Sequence, residues 1–202
     1  MKLYYAPGTC ALAAHIACEE GNVPCTYVKV DLRTKKLADG SDYLAINPKG
    51  AVPALALDGD GVLTENAAVL QYIADQAPGS ALAPAPGTFE RYRLAEWLNY
   101  IASEIHKAWT PLWNAKSPDE AKDAARKSLA ARFDYVGKRL ASAPWLLGDG
   151  FTVADAYLFV MLNWAAHLKF DLAPWPMLQA YHERIGERPA VQRALRAEGL
   201  LH

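Results

Sequence analysis

The feature that most constrains this chain is a break in its pattern at residues 78–87, Pro-Gly-Ser-Ala-Leu-Ala-Pro-Ala-Pro-Gly, with three prolines and two glycines in ten residues. Proline removes a backbone donor and glycine adds backbone freedom, so neither helix nor strand is expected to run through it. Before the break, short strand-like runs interleave with helical stretches. After it, every apolar pattern has the helical period. The chain therefore divides into an α/β domain over 1–78, a linker over 79–88 and an all-helical domain over 89–202. A chain of 202 residues, 52% of them apolar, is long enough for two small domains with a sizeable core.

In the first part, residues 2–5 read as a strand, 10–20 as a helix stopped by Gly21 and Asn22, and 26–31 as a second strand. The polar stretch 33–42 reads as a loop with one weak helical turn. Residues 54–57 and 62–63 flank Asp58-Gly59-Asp60-Gly61, a hairpin signature, and 65–76 is helical with Val69 and Ile73 on one face. The order β-α-β followed by β-β-α is that of a thioredoxin-like domain. Beyond the linker, 89–107 reads as one long amphipathic helix that Pro111 must end or bend. Residues 119–140 form another helix, started by Ser117-Pro118. Thr152-Val153-Ala154-Asp155 is a capping box that opens an apolar helix over 153–168. Two short helices divided by Pro189 finish the chain.

Bulk properties narrow the function. A formal net charge of −1 offers no electrostatic case for nucleic acid or an anionic membrane as main partner. No apolar signal-peptide region precedes Pro7, and the longest apolar run, 156–162, is too short to span a bilayer. The three cysteines, Cys10, Cys18 and Cys25, have neither CxxC nor zinc-ligand spacing. These features describe a cytoplasmic protein from a reducing compartment, with no structural disulfide and no metal.

Cys10 follows a strand and a Pro7-Gly8 turn and falls at the first turn of a helix, where unpaired N–H groups and the helix dipole favour a thiolate. Cys18 and Cys25 read as small apolar residues. Position 7 is proline, so Cys10 has no dithiol partner within a CxxC, and disulfide chemistry there needs a second thiol from a small molecule. Val52-Pro53 resembles a cis-proline position whose Val52 backbone pairs with an extended peptide; an ordinary trans-proline at a strand start is the plain alternative. Thr64-Glu65-Asn66 opens a helix where Glu65 can take an ammonium and the helix N-terminus a carboxylate. A routine cap by Thr64 or Asn66 is the alternative. Asn99, Ser103 and His106 share one helix face with Lys107 beside them, and Trp97, Trp109, Leu112 and Trp113 cluster around it as a cleft edge. His106 is a candidate general base or donor to a thiolate, or else a core or surface histidine.

Together these residues resemble the beta-class glutathione transferases over essentially the whole chain. The matching runs are Pro-Gly-Thr-Cys10, Asn47-Pro48-Lys49-Gly50 through Val52-Pro53, Leu63-Thr64-Glu65, Glu96-Trp97-Leu98-Asn99-Tyr100-Ile101 with His106-Lys107, and Phe151-Thr152-Val153-Ala154-Asp155-Ala156-Tyr157. The resemblance implies a thioredoxin-like N-terminal domain, an all-α C-terminal domain, a homodimer, and glutathione as co-substrate with no other cofactor. It implies glutathione lying along Cys10, Lys35, Val52, Pro53, Glu65 and Asn66, with Tyr5, Asn99, Ser103, His106 and Lys107 completing the pocket and the neighbouring subunit helping to build it. Cys10 and His106 are the expected catalytic groups. Tyr5, Trp109, Leu112, Trp113 and Trp164 are the expected wall for a small hydrophobic electrophile. Position 66 is Asn where the broader superfamily often has serine, and the order of residues leaves open whether Lys35 or Lys36 reaches the ligand. The implied activity is conjugation of glutathione in detoxification. Glutathione-dependent thiol exchange, reductive dehalogenation or peroxide reduction at Cys10, and non-catalytic carriage of hydrophobic ligands, are the rivals.

Overall fold

Strand β1 (Lys2–Tyr5) buries Leu3 and Tyr4, which point to opposite faces of the strand. A strand covered on both faces belongs in the middle of a sheet, and the observed order is β3-β2-β1-β4-β5. β2 (Thr26–Asp31) runs parallel to β1 with Leu3 opposite Tyr27, while β4 (Ala54–Leu57) is antiparallel to β1 with Leu3 opposite Leu55. β5 (Gly61–Thr64) completes the hairpin with β4. The computed structural model describes residues 1–59, 61–77 and 79–201; Asp60 of the hairpin turn, Pro78 of the linker segment and His202 lie outside the described residues.

The stretch 33–42, expected to be a loop, contains β3 (Lys36–Leu37), paired antiparallel with Val30 and Asp31. Two residues are too few to show an alternating pattern. The Asp31 carboxylate fixes the bend before them by accepting from the N–H groups of Arg33 (2.8 Å) and Thr34 (3.2 Å).

Helix α1 (Leu12–Gly21) buries Leu12 and Ile16, and α2 (Asn66–Asp75) buries Leu70 and Ile73, each such side chain contributing about 1.5–3 kcal/mol. The expected stop at Gly21 and Asn22 is present: Asn22 is left-handed, with φ 48°, and the Val23 N–H donates to Cys18 O at 2.9 Å.

The compact units are Met1–Ala83 together with the chain from Arg188 onward, and Pro84–Glu187. The sequence division gave all of 89–202 to the helical domain, but α8 (Pro189–Ala197) packs on α1 in the first unit. Charge pairs hold it there: Arg188 donates to both oxygens of Glu20 (2.6 and 2.8 Å), and Arg193 to Glu19 (2.8 Å). Nothing in helical periodicity says which domain a helix joins.

The second unit is helical throughout. α3 (Phe89–Tyr100) starts at Thr88, whose Oγ1 accepts from the Arg91 N–H at 3.2 Å. The single long helix expected over 89–107 is interrupted: Ile101–His106 is wound as a π-helix, a wider turn often found at functional sites. α4 (Thr110–Trp113) contains Pro111 in its first turn, and α5 (Asp119–Leu140) follows. α6 (Val153–His167) is buried on nearly all sides and forms the core, against which α7 (Pro176–Gly186) packs. The capping box is present. Asp155 Oδ2 accepts from both the N–H and the hydroxyl of Thr152, each at 2.8 Å, while Oδ1 accepts from the Leu146 N–H (2.9 Å) and the Tyr181 hydroxyl (2.7 Å). No helix among the described residues is long and apolar enough to cross a membrane.

Candidate active site

In the first unit three element starts converge: the turn before α1, the beginning of β4 and the beginning of α2. Gly8 occupies the turn with φ +70°, a conformation costly for a residue with a side chain. Thr9 closes it, its N–H and hydroxyl both donating to Ala6 O (3.2 and 2.7 Å). Cys10 follows, half-buried, one position before the α1 N-cap Ala11. Its thiol lies 3.3 Å from Val52 O, placed to donate to it. The Val52–Pro53 bond is cis. From the third direction, Asn66 donates through Nδ2 to Cys10 O at 3.1 Å, while its buried Oδ1 accepts from nothing. A buried unpaired acceptor costs about 1–3 kcal/mol, which makes that oxygen a place where a ligand donor is rewarded.

Neither Thr64 nor Asn66 caps α2. The N-cap is Glu65, at φ 71°, and no side chain bonds there. A non-glycine residue held at such a φ is strained, typically at a functional site. Glu65 instead faces Lys49, whose ammonium lies 2.6 Å from Glu65 Oε1 and 3.0 Å from Thr64 Oγ1. Lys49 was read only as part of a motif; the contact depends on a turn that brings residues sixteen apart together. Of the two adjacent lysines, Lys35 donates to Gly50 O at 2.7 Å, and Lys36 belongs to β3.

A buried carboxylate that sequence reading missed holds the Cys10 turn. Glu198 Oε2 accepts from the Gly8 N–H at 2.9 Å, and Oε1 lies 3.0 Å from His15 Nδ1. A carboxylate only accepts, so Nδ1 carries the hydrogen. Both side chains are at most 1% exposed. Tyr5 lies edge-on to His15, ring centroids 5.9 Å apart, and edge-on to Tyr27 at 6.5 Å. Its phenol is held above its ordinary pKa by burial and then by the Glu198 charge, so it stays protonated.

In the second unit, Asn99 Nδ2 donates to Ala95 O and Ser103 Oγ to Asn99 O, each at 2.9 Å, so both side chains turn back on their own helix. His106 Nδ1 lies 2.7 Å from the Tyr157 hydroxyl. Burial, and then the Lys107 charge, push its pKa down to about 4. His106 is therefore a neutral imidazole near neutral pH, able to donate from one nitrogen but too weakly basic to take a proton readily. Trp164 meets His106 edge-on at 4.9 Å and Trp113 at 5.4 Å, and Trp113 stacks on His167 at 5.1 Å. Trp113 is 44% exposed and Leu112 half-buried. Trp109 does not belong to this wall. It is wholly buried against Phe133 and Phe170, with ring centroids at 6.2 and 5.4 Å, and is a core residue. The short helix α4 turns it inward, which proximity in sequence could not show. Among the described residues, no group of three or more His, Cys, Asp or Glu is placed to hold a metal ion.

Two family models match the chain: the N-terminal domain of glutathione S-transferase over residues 8–76 and the C-terminal domain of glutathione S-transferase over residues 100–189. The chain is 47% identical over 200 residues to glutathione S-transferase GstA of Escherichia coli O157:H7, covering 99% of this chain and 100% of that one. It is 50% identical to a solved bacterial beta-class glutathione S-transferase of Sphingomonas chungbukensis, at TM-score 0.96 with both chains fully covered. The chain belongs to the beta-class glutathione S-transferases. A sphingomonad glutathione S-transferase solved in complex with glutathione is also 50% identical, at TM-score 0.96 over 99% of this chain and 100% of that one. The N-terminal match spans the positions of Cys10, Lys35, Val52 and Glu65, and the C-terminal match those of Ser103, His106, Trp113 and Trp164.

Proposed function

We propose that the first unit holds glutathione with its thiol beside Cys10, and that the enzyme conjugates this thiol to small hydrophobic electrophiles as a cytoplasmic, homodimeric detoxification enzyme. The observation that carries the reading is the convergence of Cys10, Val52 and Asn66, with a polarised Glu65–Lys49 pair at the same helix start. Glutathione offers a matching set of groups. Its γ-glutamyl ammonium suits Glu65, its α-carboxylate suits the uncapped start of α2, and its central amide suits the Val52 backbone as an added strand. A ligand N–H would satisfy the buried Asn66 Oδ1. Lys35 is the lysine proposed for the glycine carboxylate, because its ammonium reaches the 47–53 segment, donating to Gly50 O. Tyr5, Asn99, Ser103, His106 and Lys107 are proposed as secondary contacts to glutathione. Leu112, Trp113 and Trp164 supply the apolar surface for the electrophile. That a sphingomonad relative was solved in complex with glutathione supports glutathione as the ligand.

As a thiol already placed to donate, Cys10 fits the role of hydrogen-bond donor to a glutathione thiolate. A thiol with pKa near ~8.5 is only a few per cent ionised at neutral pH, so lowering it by about two units raises the thiolate roughly 20-fold. Nucleophilicity falls with pKa at a Brønsted slope of ~0.4–0.5, which removes about 6- to 10-fold of that gain. Positioning of the two substrates therefore supplies most of the acceleration. Turnover of an aryl halide with glutathione, compared between wild type and Cys10→Ala, tests this. Conjugation should fall by less than about ten-fold, the scale of one neutral hydrogen bond, while glutathione-dependent disulfide reduction disappears. Loss of both activities would make Cys10 the nucleophile and favour the thiol-exchange reading.

A further inference from the structure

Helix α6 presents two different surfaces. Trp164 turns toward His106 and Trp113. Leu162 and Ala166, two positions to either side of it, point about 160° away round the helix, at roughly 3.6 residues per turn. On that second side, the end of α6, the segment after it and one face of α7 enclose a cavity of about 290 Å³ that opens to solvent. It lies wholly within the second unit and shares no lining residue with the glutathione and electrophile sites.

The walls are fixed by bonds of their own. The chain leaves α6 through Lys169, left-handed at φ 54°, and the Phe170 N–H donates back to Ala165 O at 2.8 Å. Phe170 is then held between rings, stacked on Trp175 at 6.0 Å and edge-on to Trp109 at 5.4 Å. Asp171 Oδ1 accepts from the Ala173 N–H at 2.8 Å, which sets the next turn. Buried Leu162, with half-buried Phe170 and Leu172, therefore makes a preformed apolar floor.

The chemistry above that floor is one-sided. Asp171 and Glu183 bring carboxylates, which only accept. His182 stacks on Phe159 at 4.8 Å, and its Nε2 lies 2.5 Å from Asn163 Oδ1. An amide oxygen accepts, so Nε2 carries the ring hydrogen. Burial lowers the pKa of His182, which keeps the ring neutral near neutral pH and leaves Nδ1 as an acceptor. Among the described residues, no Lys or Arg lines the cavity. An apolar floor under two carboxylates and an imidazole acceptor complements a cation that carries N–H donors on a hydrophobic body, and it repels an anion. The volume is at the lower end for ligand pockets, which fits one ring with a short chain.

We propose that this cavity is a second, non-catalytic binding site for small aryl-alkyl ammonium ions, with the ring on Leu162, Phe170 and Leu172 and the ammonium between Asp171 and Glu183. The site does not depend on how glutathione is held in the first unit.

The probe is 2-phenylethylamine, titrated into the full-length protein labelled with nitrogen-15. Amide signals of residues 166–183 should move and saturate below about 1 mM, while those of Cys10, His106 and Lys107 stay in place. The same titration with 2-phenylethanol, which keeps the shape without the charge, should give binding at least about five times weaker, and 3-phenylpropanoate should not bind. Glu183→Gln should weaken the amine about 2- to 5-fold, the scale of one exposed charge partner. Asp171→Asn with Glu183→Gln should bring the amine to the level of the alcohol. Ala166→Phe fills the mouth from an exposed position on α6; it should abolish the shifts and leave conjugation of glutathione at the wild-type rate. Equal binding of amine and alcohol, shifts centred on His106 and Trp113, undiminished binding in Ala166→Phe, or no shift at about 10 mM amine would each overturn the proposal.

Discussion

The turn that carries Cys10 and the turn that opens α6 solve one problem in two ways. In each, a buried carboxylate accepts from a backbone N–H where the chain enters a helix. At α6 the carboxylate is Asp155, three residues from the Thr152 N–H it receives. At the Cys10 turn it is Glu198, 190 residues from the Gly8 N–H. The local device is complete once a few residues are fixed. The distant one exists only after α8 has docked on α1, so the shape of the Cys10 turn depends on the tertiary fold. A structural anchor built locally and a site anchor built from afar should respond differently to mutation.

Asp155→Ala should have the largest effect. Four donors lose their acceptor in a buried setting, and unfolding in urea should show a loss of about 3–5 kcal/mol, with the KM for glutathione of the remaining folded enzyme unchanged. Glu198→Ala should cost about 2–4 kcal/mol and also raise the KM for glutathione, because the Gly8 N–H and His15 lose this shared acceptor beside the Cys10 turn. Glu198→Gln, which keeps one acceptor oxygen, should recover part of both. An unchanged KM in Glu198→Ala would reduce the two carboxylates to equivalent anchors and remove the contrast.

His106 sharpens the contrast through pH. Its folded pKa of about 4 lies below the unfolded value near 6.5, so between those values the unfolded chain binds the extra proton. Stability tied to neutral His106 is full above about pH 6.5 and lost as pH falls toward 4, by about 1–3 kcal/mol. His106→Asn should flatten the stability curve in that window; a curve of unchanged slope would show that His106 is not buried neutral. Lys49→Ala should have the smallest effect on folding, under about 1 kcal/mol because the pair with Glu65 is exposed, together with a severalfold change in glutathione KM.

The same division between local and distant explains what could be read from residue order. The strand over 2–5, the stop at Asn22, the capping box at Thr152 and Asp155, and the helix over 119–140 are settled by neighbours, and each is found where its pattern places it. Cys10, Val52 and Glu65 were legible as candidates because each sits at a helix or strand start with its own local signal. Partner choice was not. Glu198 beneath Gly8, Lys49 against Glu65, α8 on α1 and the inward turn of Trp109 each depend on how separated segments meet, and two-residue β3 is too short to announce itself.

The central claim is that the Cys10 turn holds glutathione as a thiolate. Its most direct test is the ultraviolet thiolate absorbance of bound glutathione, followed against pH in Cys10→Ala and wild type and referenced to each protein without glutathione. The account predicts an apparent pKa clearly below the free value of ~8.5 in wild type, and partly restored toward it in Cys10→Ala. A bound thiol that titrates at the free value in wild type would contradict it.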